Sequence, residues 1–165
     1  REVLIYPYDG GLGHCNAYVY DDWGMFRTKL SFTAADFVGA SACFPGHAAG
    51  TTPHEVLFHE LVHAMRESAG KRLSFKGHAG EEAIAVMVSN IFSSEVNRPL
   101  RQAGGGFAQM NISSEDFFAT NGDMIRVFYH QHPEFCRWVA EAVVPFNPLR
   151  SYYLTLTGVP RLRSA

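Results

Sequence analysis

Apolar and polar residues alternate with a period of two at the start of the chain and shift to helical spacing further on. "EVLIYPYD" (residues 2–9) and "NAYVYDD" (16–22) are rich in β-branched and aromatic residues, and Asp9-Gly10-Gly11 between them reads as a turn. "FRTKLSF" (26–32) alternates as a half-buried strand does. A Gly/Pro/Ala-rich connector, "FPGHAAG" (44–50), leads into the helical part. There Thr52 can cap a helix, Pro53 suits its first position and Glu55 completes a capping box, predicting a helix over 53–68 that stops near Gly70. A short strand in "KRLSFKG" and a second helix from about Gly80 to Asn97 follow. "RQAGGGF" reads as a flexible loop, "SSEDFFA", "GDMIRVFYHQ" and "PEFCRWVAEAV" as shorter helices, and "PFNPLRSYY" as a turn. No internal repeat interrupts this order.

Length and composition narrow the class. A chain of 165 residues is expected to form a single domain, residues 1–165, with a real core. A net charge of −2 gives no electrostatic reason to expect nucleic acid or an anionic membrane as partner. No apolar run approaches the roughly 18 residues that a membrane span needs. Cys15, Cys43 and Cys136 are widely spaced and odd in number, which suits reduced, buried side chains better than a disulfide framework. The opening Arg1, in place of a methionine, suits the processed tail of a longer delivery protein.

The predicted first helix carries the chemistry. Within "TTPHEVLFHELVHAMRES", His59-Glu60-Leu61-Val62-His63 is an HExxH sequence. Residues four apart share one helix face with Cβ atoms about 5–6 Å apart, which lets two imidazoles converge on one zinc ion. Glu60 lies about 100° round the helix from His59, off the ligand edge but within reach of a water on the metal, where it can act as general base. Leu57, Phe58, Leu61, Ala64 and Met65 cluster on the opposite side as a core face, while Val56, Arg66 and Glu67 share the histidines' polar face. A tetrahedral site needs a further protein ligand. Arg66 and Ala69 stand where the metzincin extension has Gly and His, so the ligand is expected on the next helix, where both Glu81 and Glu82 are available. Gly10–Gly13 is not a dinucleotide fingerprint, because no helix opens after it, and His130-Gln131-His132 reads as a helix end. His14, His47, His54 and His78 lack metal-edge spacing.

"LFHELVHAMR", "EEAIAV" and "SEVNRPLR" together resemble the NleD-like effector metallopeptidases of bacterial pathogens, gluzincins that are similar to clostridial neurotoxin light chains. The resemblance implies Glu82, the second glutamate of the pair, as the ligand that joins His59 and His63 on Zn2+. "EAIAV" is also similar to the thermolysin-type second-helix motif, with Val86 where that group has an aspartate, so the groups orienting the histidines must come from elsewhere. Arg150-Ser151-Tyr152-Tyr153 matches the Arg-x-x-Tyr pair of the neurotoxin group, which implies that Tyr153 and Arg150 stabilise the oxyanion. The expectation is therefore an α+β, zincin-like metalloprotease domain. In it a small, mainly antiparallel N-terminal sheet packs on the HExxH helix, a helical part follows, and a sheet edge can hold an extended peptide.

Functionally, the resemblance implies a monomeric zinc endopeptidase, secreted or translocated by a bacterium, that cleaves a protein in the cytosol of a host or competitor cell; signalling kinases are known targets in that family. The alternatives are a zinc-stabilised binding module without activity, against which Glu60 argues, and a hydrolase of a non-protein amide such as a peptidoglycan peptide.

Overall fold

The computed structural model describes residues 2–8, 17–22, 27–38, 48–72, 78–104 and 108–158, with the backbone alone at Asp22 and His78. The turn at Asp9–Gly13, Cys15, Cys43, His14, His47, most of the 44–50 connector, the core of the expected strand in 71–77 and Gly105–Phe107 lie outside them. The chain divides into two compact units, Arg1–Met110 and Asn111–Ala165.

In the first unit, β1 (Glu2–Tyr6), β2 (Tyr18–Asp22) and β3 (Arg27–Ser31) form a sheet of order β1-β3-β2. The three predicted strands are present, but the sheet is mixed where a mainly antiparallel one was expected. β2 runs antiparallel to β3 with Tyr20 opposite Lys29, whereas β1 runs parallel to β3 with Leu4 opposite Lys29. Alternation identifies a strand and its two faces; it carries no information on the direction of the neighbour. The inner face of the sheet buries Val19 and Leu30 against Ala64, with Val3, Phe32 and Leu57 around them. Leu57 and Ala64 belong to α1 (Pro53–Ser68), so the small sheet does pack on the HExxH helix.

α1 starts and stops where predicted. The Thr52 side chain accepts from the Glu55 amide, and the Glu55 carboxylate accepts from the Thr52 amide at 3.1 Å and hydroxyl at 2.8 Å. Glu55 is almost fully buried and also accepts from the Ser93 hydroxyl at 2.9 Å and Arg98 at 3.4 Å. Burial pushes its pKa up, but the hydrogen bonds from Thr52 and Ser93 and the charge of Arg98 outweigh that and leave it below the usual carboxylate value. A depressed folded pKa stabilises above the unfolded value, near 4.5, and that contribution disappears as pH falls through the lower folded value. Glu55→Gln is therefore expected to melt earlier than wild type at neutral pH and to lose less stability on acidification below pH 4.5, as checked by melting temperature against pH.

Across α1 from the sheet lies α2 (His78–Glu95), which buries Ile84, Ala85, Val86, Met87, Val88 and Ile91 together with the polar Ser89, Asn90, Ser93 and Ser94 and is covered nearly all round. Phe58 of α1 stacks on Phe92 of α2 with ring centroids 4.9 Å apart. Because α1 is covered from two sides, its expected division into core and polar faces does not hold: Leu61 is 37% exposed, while His59, His63 and Arg66 are buried. A short hairpin follows, β4 (Leu100–Arg101) paired with β5 (Gln109–Met110) around the loop read from "RQAGGGF".

The second unit is helical. α3 (Ser114–Gln131) joins the two predicted short helices into one, with a break in helical geometry at Asn121. α4 (Pro133–Glu141) buries Cys136, Val139 and Ala140, in keeping with the reading of Cys136 as a small core residue. The expected turn at 145–153 is instead the start of α5 (Pro148–Thr157): the Asn147 side chain caps it by accepting from the Arg150 amide, and Gly158 ends it at φ 65°.

Candidate metal centre

α1 and α2 bring His59, His63 and Glu82 together. His59 and His63 stand one turn apart on α1, and Glu82 projects from the first turns of α2. The two Nε2 atoms are 3.2 Å apart, and each lies 3.4 Å from Glu82 Oε2. Ligand atoms placed tetrahedrally about 2.0–2.1 Å from a zinc ion are roughly 3.3 Å from one another, so this triangle matches one face of such a site. His59, His63 and Glu82 form a group that can hold a metal ion.

Glu81 does different work. Its Oε1 lies 3.3 Å from His63 Nδ1, and Arg66 Nε donates to both of its oxygens at 3.0 Å. Glu81 and Arg66 are 1% and 0% exposed. With Nδ1 of His63 turned to this carboxylate, its Nε2 faces Glu82 and His59, the orientation that metal-ligating histidines need. The adjacent glutamates thus point to different partners: Glu82 towards both histidine Nε2 atoms, Glu81 behind His63. His59 Nδ1 is buried with no hydrogen-bond partner among the described residues.

Glu82 is held on its other side as well. Arg101 Nη2 donates to Oε1 at 3.1 Å. Burial works against the charge on Glu82, but the hydrogen bonds from His59 and His63, the charge of His59 and the Arg101 guanidinium hold its carboxyl well below the usual range. Burial disfavours a charged His63, yet the surrounding carboxylates Glu81, Glu82 and Glu60 push its pKa up to about 9. For His59, burial prevails over Glu82 and lowers the pKa.

Glu60 is 9% exposed, next to His59 in the chain and outside the ligand triangle. Burial above all pushes its carboxyl up to about 7; the charge of Glu82 adds to the rise, while His63, Arg72 and Arg101 oppose it.

Arg150 and Tyr153 lie one turn apart on α5, in the second unit. There the Arg150 guanidinium donates to the carbonyls of Ala140 at 3.2 Å and Glu141 at 3.4 Å and so caps the end of α4. Sequence reading missed the parts played by Arg66, Glu81 and Arg101. The doubled glutamate was the one local signal, since neighbouring helical residues must face different ways; nothing in the sequence ties Arg101 to Glu82. No helix among the described residues is long and apolar enough to cross a membrane. No protein-family model, curated protein or solved structure matches the chain.

Proposed function

We propose that the chain is a zinc-dependent endopeptidase. The observation that carries the reading is the triangle of His59 Nε2, His63 Nε2 and Glu82 Oε2, with edges of 3.2–3.4 Å and a buried carboxyl at Glu60 beside it. His59, His63 and Glu82 hold the ion; Glu81 and Arg66 orient His63. Zinc in such a site supplies Lewis acidity, polarising an amide carbonyl and lowering the pKa of water. Glu60 accepts the proton that the attacking water gives up and returns it to the nitrogen of the departing amine. A buried carboxyl adjacent to the ligand histidine is placed for both transfers. For Tyr153 and Arg150 at the oxyanion, support comes from the Arg-x-x-Tyr resemblance alone; for a zincin fold, a bacterial effector or toxin role and a protein substrate in a recipient cell, it comes from the resemblance of "LFHELVHAMR", "EEAIAV" and "SEVNRPLR" to the NleD-like family.

The test pairs metal content with proteolysis. Purified chain is expected to carry zinc by atomic emission and to cleave a protein in a recipient-cell lysate, with chelator stopping the reaction. Zinc added at about 100 times its dissociation constant should stabilise the fold by about 2.7 kcal/mol, read as a rise in melting temperature that His59→Ala abolishes. A wild type that takes up no zinc defeats the metal site. Zinc uptake without cleavage of any protein defeats the protease and leaves the binding module; cleavage confined to a peptidoglycan peptide assigns the non-protein amide.

A further inference from the structure

The two oxygens of Glu82 are divided between two tasks. Oε2 faces His59 and His63 at 3.4 Å, while Oε1 accepts from Arg101 Nη2 at 3.1 Å. We propose that Arg101 is a positioning residue that restricts Glu82 to ligation through one oxygen, and so keeps the site four-coordinate with water as the fourth ligand. The inference rests on the metal-site reading above. A carboxylate beside a metal binds through one oxygen or both, and zinc accommodates five ligands as well as four. With Oε1 held by a charge-assisted hydrogen bond and turned to Arg101, the second mode is disfavoured.

The placement of Arg101 is itself built in. Asn90, 1% exposed on α2, brackets the arginine backbone: its Nδ2 donates to the Arg101 carbonyl and its Oδ1 accepts from the Arg101 amide, both at 2.8 Å. The helix that supplies Glu82 therefore also anchors the strand carrying the group that pins it. The stem of Arg101 runs over Gly50, whose φ is +73° and where a Cβ would come within 2.8 Å of Arg101 Cδ. Glycine there meets both the left-handed backbone and the close passage of the side chain. A buried asparagine, a glycine and a short hairpin thus converge to hold one guanidinium against one carboxylate oxygen.

Arg101→Met keeps the stem and removes the donors; Arg101→Lys keeps the charge on a side chain that cannot offer the same planar fork. Both are compared with wild type after loading with cobalt(II), whose visible absorption is intense in four-coordinate sites and weaker in five-coordinate ones. Wild type is expected to give the four-coordinate spectrum and Arg101→Met the five-coordinate one, with zinc affinity lower by about tenfold to a hundredfold. Arg101→Lys should fall between them, and it carries the comparison if Arg101→Met does not fold. A variant spectrum and zinc affinity equal to those of wild type overturn the inference. A wild type that binds neither cobalt nor zinc overturns the metal site instead, so the two failures are distinct.

Discussion

Glu60→Gln is expected to keep its zinc and to lose peptide hydrolysis by about 10²–10⁴-fold, the usual contribution of a positioned general acid–base group. The substitution preserves size and shape, and Glu60 is not one of the atoms in the ligand triangle, so metal content should stay at the wild-type level. What an amide cannot do is take up a proton from water and release it to a leaving amine. The same change removes a carboxyl whose charge burial already disfavours, so the folded state should be no less stable than wild type. Zinc by atomic emission, melting temperature and initial rate on the lysate substrate are measured on one preparation. An undiminished rate would remove Glu60 from the chemistry; loss of zinc together with activity would make it a structural part of the site.

Arg66→Met carries the largest expected effect on stability. It leaves the Glu81 carboxylate, 1% exposed, facing His63 without the guanidinium that now donates to both of its oxygens, and breaking a buried pair in this way costs about 3–5 kcal/mol. It also removes the donor to the Lys71 carbonyl at 2.8 Å, just beyond the end of α1. Arg66→Met with Glu81→Leu should recover most of the stability, since apolar residues of similar volume commonly replace a buried ion pair without loss. It should not recover the metal: with no carboxylate behind His63 Nδ1, zinc affinity is expected to remain about 10–100-fold down. Denaturant unfolding of the metal-free proteins and zinc competition titrations separate the two effects. Wild-type affinity in the double variant would confine the Arg66–Glu81 pair to a structural role.

Much of the local structure was legible because local chemistry specifies it. The Thr52–Glu55 capping box and Pro53 set the start of α1, and period-two alternation located β1, β2 and β3. The start of α5 is equally local, with Asn147 as cap and Pro148 at the first position, but Asn-Pro is a turn signal as well as a helix start. Alternation could not tell that β1 lies parallel to β3, because strand direction depends on where the connecting chain returns. Nor could helical spacing separate a solvated face from a buried polar one. Arg66 and His63 plot on the polar side of α1 whether they meet water or, as here, Glu81.

By itself, then, the sequence determined the HExxH helix, its caps and the presence of two histidines one turn apart beside a glutamate, all consequences of interactions within a few residues. The tertiary structure decided which of the adjacent glutamates faces both histidines, which one stands behind His63, and that Arg101 holds Glu82 from the other side. Those assignments depend on how α2 and the β4–β5 hairpin are set against α1 within the first unit. A buried charge is tolerated only where partners from other elements meet it, and spacing along one helix carries no record of them.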